Sequence, residues 1–274
     1  MSTLPGRLQT GVAAIVRHDL AIAVAVLVWI PGVLLADRGE SMPRQVLLGL
    51  GTWVLLLALL RRQTALVRTQ TLVVVVFATA VEYTFSPLLH VYVYRLHNVP
   101  AFVPPGHGLV YLAALVIGRS AVLRRRARPA IALTVLGGAA YPLWGLSSLA
   151  PRPDVLGAFW FVCLLGFLCW GRSRLLYVGA FVVVTYLELL GTGLGSWVWQ
   201  PRDPTGLVSM GNPPSGAAGG YGWFDLAAVA AAPWLLARLP RGRTLAGYGS
   251  ADQELQRSLV QAPVGGDGAA AVEH

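Results

Sequence analysis

Long apolar stretches alternate with short polar ones along the chain, and eight of the stretches approach the ~20 residues a helix needs to cross hydrocarbon. They cover about residues 20–36, 45–60, 70–90, 107–123, 130–149, 155–171, 175–197 and 223–239. This pattern predicts an all-α, polytopic membrane protein with about eight transmembrane helices. Beyond Thr244 the chain turns to Gly, Ala and polar side chains, which predicts a disordered cytoplasmic tail over about 241–274.

The arginines supply the orientation. Arg7 and Arg17 precede the first stretch; Arg61, Arg62 and Arg68 follow the second; Arg119, Arg124, Arg125, Arg126 and Arg128 follow the fourth; Arg172 and Arg174 follow the sixth; Arg238, Arg241 and Arg243 follow the eighth. The odd connections hold only Arg38, Arg44, Arg95, Arg152 and Arg202, several beside acids. The positive-inside rule then predicts a multi-pass protein of the cell membrane with both termini cytoplasmic. No small-residue cleavage site follows the first stretch, so it is expected to stay as a signal anchor.

The halves read alike. An apolar run ends in Glu82 or Glu188, an aromatic pair spaced by one residue follows (Tyr92 and Tyr94, or Trp197 and Trp199), and then a double proline, Pro104–Pro105 or Pro213–Pro214. Trp29-Ile30-Pro31 likewise resembles Ala140-Tyr141-Pro142. Two tandem four-helix repeats are expected, about 1–127 and 128–240. Each holds an even number of crossings, so the copies share an orientation, related by an axis along the membrane normal.

Composition agrees and removes some chemistry. Hydrophobic residues make up 55% and charged residues 12%, as in an integral membrane protein. All 21 basic residues are arginine, which excludes a lysine Schiff base to retinal or pyridoxal. The net charge of +9 reads as cytoplasmic loops rather than a nucleic-acid surface, since no basic stripe with interleaved aromatics is present. Cys163 and Cys169 share one apolar run, which suits packing better than a disulfide.

The two acids carry the candidate chemistry. Glu82 stands 14 residues after Arg68, and Glu188 stands 14 after Arg174, so each lies roughly 20 Å into the membrane, in its outer half. A carboxylate there costs about 2.5–3.5 kcal/mol and normally faces the bundle interior. Taken out of water, a carboxyl favours its neutral, proton-donating form. A structural reading stands beside this one, in which both acids only satisfy broken backbone near Ser86-Pro87 and Gly191-Thr192-Gly193.

The outer connections hold the remaining candidates. Tyr92, Tyr94, Trp197 and Trp199 read either as an interfacial belt or as rings that enclose a cation. His90, His97 and His107 match no metal-ligand spacing; His107, at the start of the fourth stretch, caps that helix or pairs with Glu82. Asp225 is placed just inside the last helix, as a third acid or as a partner of the helix N-terminus. Asn212, in the segment NPPSG, is a candidate polar contact to substrate, and GTGLGS is read as a close-packing segment rather than a nucleotide fingerprint.

In combination, Glu82, Tyr92, Tyr94, Val99, Pro100, Val103 and Pro104, echoed by Glu188, Gly191, Gly195, Trp197 and Trp199, resemble the integral membrane carotenoid-biosynthesis proteins that include the carotenoid 1′,2′-hydratases. Small membrane terpene cyclases are similar in size, number of spans and paired carboxylates. The resemblance implies proton donation to an isoprenoid double bond, followed by hydration or cyclisation. Glu82 and Glu188 would then serve as acid and base, assisted by Asp225 and His107, with no metal or other cofactor. Two further readings remain open: a proton- or cation-coupled transporter, and a noncatalytic membrane scaffold.

Overall fold

The computed structural model describes residues 6–39 and 41–238, with side chains from residue 17 onward; the expected tail at 241–274 lies outside the described residues. The chain is mostly helical, and four helical stretches are long and apolar enough to cross a membrane: Arg17–Asp37, Met42–Leu60, Ala65–Leu88 and Arg174–Gly193.

In order, the elements are α1 (Gly6–Asp37), α2 (Met42–Leu60), α3 (Ala65–Tyr83), β1 (Tyr92–Tyr94), α4 (Val103–Gly118), α5 (Ala121–Arg125), α6 (Ala127–Gly145), α7 (Val155–Trp170), α8 (Arg174–Gly193), β2 (Trp197–Trp199) and α9 (Ala217–Arg238). Each of the eight apolar stretches contains one of the long helices, but several ends differ from the sequence expectation. Helix α4 starts at Val103 rather than 107, because Pro104 and Pro105 fall in the first turn, where a missing N–H is harmless. It stops at Gly118, and Ser120 caps the separate α5 by accepting from Leu123 N. Helix α9 starts at Ala217 rather than 223, its first turns running through Gly219, Gly220 and Gly222. Glycine disfavours helix in isolation, yet here it permits contact: a Cβ at Gly219 would lie 1.8 Å from the Trp160 carbonyl oxygen of α7.

The expected all-α fold holds one exception. Tyr92–Tyr94 and Trp197–Trp199 are strands, and they pair antiparallel with each other, Tyr92 opposite Trp199, Val93 opposite Val198 and Tyr94 opposite Trp197. Helix α3 runs into this strand pair through a π-helical turn, Thr84–Leu88, in which Pro87 has no N–H to continue the α pattern.

Four helices form the centre. Helix α3 packs on α4, α4 on α8, α8 on α9, and α9 back on α3, closing a ring. Helix α1 lies across both α4 and α8, α2 lies on α4, α7 on α9, and α6 on α7 and α8. Thirteen of the 16 residues of α4 are buried, as expected of a helix apolar on all sides. The α4–α8 approach is close at Gly179, whose added Cβ would meet the Ala114 carbonyl at 2.3 Å.

Candidate functional site

Glu82 ends the last full turn of α3, and its exposure is 5%. The π turn and the left-handed His90 (φ 53°) then fold the chain back, so β1 returns over the carboxylate. Residues at alternate strand positions point to the same side, which aims both rings inward. The hydroxyls of Tyr92 and Tyr94 each donate to Glu82 Oε2 at 2.8 Å, and His107 Nε2 meets Oε1 at 2.8 Å.

Glu188, 4% exposed on α8, is held in the same way by the other strand. The indole N–H groups of Trp197 and Trp199 donate to its Oε2 at 3.0 and 3.2 Å, and the Tyr221 hydroxyl lies 3.4 Å from Oε1. His107 and Tyr221 are each the fifth residue of their helices, and their rings stack at 5.2 Å between centroids. The two carboxylates are thus joined through a His107–Tyr221 stack and roofed by the β1–β2 pair, where Tyr92 and Trp199 are 4.5 Å apart.

Both carboxylates open onto one cavity of about 260 Å³, walled mainly by aromatic rings that include Trp29, Trp160 and Phe224 as well as the four strand residues. Its volume lies just below the ~300–1,000 Å³ common for small-molecule sites. A developing cation inside would face several ring faces and two acids.

Buried polar anchors fix the roof. Asp154 caps α7 through Gly157 N at 3.0 Å and also accepts from Gly211 N at 2.8 Å and Ser215 N at 2.6 Å. Arg152 donates to the Trp199 carbonyl at 2.9 Å. On the other side, Asn98 donates to Gln45 at 2.6 Å and Gln45 to Asp37 at 3.0 Å, while Arg95 pairs with Asp37 at 3.3 Å.

Of the residues singled out from sequence, Glu82, Glu188, His107, Tyr92, Tyr94, Trp197 and Trp199 all line this cavity. Asn212 does not: it is exposed, and its Oδ1 accepts the Trp199 backbone N–H at 2.9 Å, which places it among the roof anchors. Asp225 also lies outside the cavity lining. It is the ninth residue of α9 rather than near its start, because α9 begins six residues earlier than expected. Its side chain is 4% exposed, Oδ2 has no hydrogen-bond partner, and Tyr111 and Tyr177 are its titratable neighbours. His90 and His97 stand exposed at the rim of a shallow outer groove, both with left-handed backbone, apart from His107. Among the described residues no group of three or more His, Cys, Asp or Glu is placed to hold a metal.

Tyr221 and Trp160 were not anticipated. Tyr221 answers to His107 position for position, a correspondence that appears only once α9 is known to begin at Ala217.

Asp225→Leu is expected to raise the melting temperature in detergent by a few degrees, since an unsatisfied buried polar group costs about 1–3 kcal/mol. A drop in thermal unfolding temperature would show that the carboxyl has a stabilising partner. No protein-family profile, curated protein or solved structure matches the chain, so the functional reading rests on the geometry of this chamber.

Proposed function

We propose that the protein is an integral membrane enzyme that acts on a hydrophobic isoprenoid or related lipid by acid–base chemistry at Glu82 and Glu188. The single observation that carries this reading is the sharing of one aromatic chamber by two buried carboxylates with unlike support. Glu82 accepts from two phenols and has the His107 ring against its other oxygen, an arrangement suited to a carboxylate that accepts a proton. Glu188 has two indole donors and only a long contact to Tyr221, with no cationic partner, which suits the neutral acid.

Glu188 then transfers its proton to one carbon of a terminal double bond, whose π electrons form the new C–H bond. The resulting carbocation is faced by Trp and Tyr rings. It is quenched either by water, whose proton passes to Glu82, or by attack of an internal double bond followed by loss of a C–H proton to Glu82. Glu82 then gives up the proton it gained and Glu188 regains one, which closes the cycle. This is the chemistry of the carotenoid 1′,2′-hydratases, which the motif order resembles, and of the small membrane terpene cyclases, which are similar in size, number of spans and paired carboxylates.

The same reading includes eight crossings in two tandem repeats, about 1–127 and 128–240, with both termini cytoplasmic in the cell membrane. The β1–β2 register supports it, being centred on Val93 opposite Val198, as a two-fold axis through the pair requires. The packing supports it too, since α4 on α8 and α3 on α9 exchange under that axis.

One observation favours transport instead. Asp225 lies one helical turn below Tyr221 and is unpartnered, so acids continue inward beyond the chamber. Comparative lipid mass spectrometry of cells with and without the protein separates the two: an enzyme yields a changed lipid that purified protein reproduces from an isoprenoid precursor. Unchanged lipids together with pH-driven solute flux into proteoliposomes would replace the enzyme reading with the carrier.

A further inference from the structure

The ring of four central helices has two long seams, and they are finished differently. Helix α1 packs on both α4 and α8 and so covers the α4–α8 seam. Among the described residues no other helix packs on both α3 and α9; α6, which holds the place of α1 in the second half, packs on α7 and α8. Among the described residues the α3–α9 seam therefore has no covering helix, and its two helices carry exposed apolar side chains such as Leu72 (60%) and Val76 (62%) on α3 and Leu226 (38%) on α9.

The chamber reaches this seam. Phe77 of α3 and Trp223 of α9 line the cavity and yet are 39% and 48% exposed, against 4–5% for the two carboxylates they lead to. A continuous run of rings leads inward from them. Phe77 packs edge-on to Phe224 at 5.3 Å, and Phe224 packs edge-on to both His107, at 5.5 Å, and Tyr221, at 5.6 Å, each of which touches a carboxylate. Phe77 lies five residues before Glu82 on α3, about 7 Å deeper in the bilayer. An opening at that depth faces acyl chains, not water.

Volume gives the occupant. A chamber of about 260 Å³ lies just below the ~300–1,000 Å³ of sites that enclose a small molecule whole. A long-chain membrane isoprenoid exceeds it, so only its reacting end fits beside the acids and the rest needs a way out.

We propose that the α3–α9 seam is a lateral portal through which the apolar chain of a bilayer-resident isoprenoid reaches the chamber, with Phe224 as the gate and Phe77 and Trp223 as its jambs. The portal rests on the lipid-substrate reading above and specifies how that substrate is selected: by a flexible apolar chain entering from the membrane, with a small reacting terminus. Soluble polar substrates have no access by this path.

The test is photolabelling of the full chain in phosphatidylcholine proteoliposomes with a farnesol bearing a diazirine, with labelled residues mapped by peptide mass spectrometry. Label is expected on Phe77, Tyr221, Trp223 and Phe224. Phe77→Trp, which thickens the jamb, lowers chamber labelling at least about threefold, and Phe224→Ala, which removes the gate, raises it. Label confined to outward residues such as Leu57 or Val162, or chamber labelling indifferent to both variants, overturns the portal. So does a dimer in detergent whose seam is protected from label, since a second copy then fills it. If Phe77→Trp fails to fold, the wild-type map and Phe224→Ala still decide. Labelling requires no turnover, so a protein that labels as expected but makes no product refutes the reaction and leaves the portal standing.

Discussion

Glu82→Gln and Glu188→Gln each lower product formation by about 10²-fold or more while the protein stays folded. Glutamine keeps the shape and an acceptor oxygen, so the tyrosine hydroxyls beside residue 82 and the indole N–H groups beside residue 188 retain partners. What it loses is the proton that general acid–base catalysis moves, worth about 10²–10⁴ in rate. Because the acids act in one sequence of steps, the double variant should be scarcely worse than either single one. Turnover of the identified lipid by mass spectrometry, beside thermal unfolding of the same preparations, checks this. Undiminished turnover in either variant would mean that its carboxyl serves only the fold.

The contrast between His107 and Tyr221 sharpens that expectation. They occupy equivalent places, stacked on each other, yet one brings an imidazole to Glu82 and the other a distant phenol to Glu188. On the proposed tandem-repeat reading, one frame carries two acids with unlike support, the arrangement that would let one carboxyl donate while the other accepts.

Much of this frame was legible in the sequence because it depends on local signals. Runs of apolar residues fix helices by length alone, and an acid followed by an aromatic pair is visible twice without any knowledge of the fold. The pairing of Tyr92–Tyr94 with Trp197–Trp199 was not legible: each strand is three residues long, too short for an alternating pattern, and its partner is more than a hundred residues away. The placement of Asp225 failed for a related reason. Its depth and facing are set by where α9 starts, and that start is hidden in a glycine-rich run whose helical state comes from packing on Trp160 rather than from propensity. Asn212 reads in isolation as a donor for a ligand, and only the fold shows that its oxygen already serves the backbone of β2.

Two glycines in the segment GTGLGS should respond with opposite signs. A Cβ at Gly191, one turn after Glu188 on α8, would lie 1.8–2.3 Å from three ring atoms of Trp197. The indole cannot yield freely, because its N–H is bonded to Glu188 and its ring packs on Tyr94 at 6.0 Å. Gly191→Ala therefore displaces Trp197 into the chamber or tears it from the carboxylate, costing about 1–3 kcal/mol in overpacking and about 1 kcal/mol more for the hydrogen bond. At Gly193, two residues on, nothing lies within 4 Å of the added carbon, and replacing a helical glycine by alanine contributes about 0.5–1 kcal/mol of stability. Thermal unfolding should then show Gly191→Ala lower by several degrees and Gly193→Ala equal or slightly higher, at about 2–4 °C per kcal/mol. Product formation should fall only in the first. Equal melting temperatures for the pair would mean that the roof over Glu188 is loose, and a loose roof could not hold the acid in position to protonate a double bond.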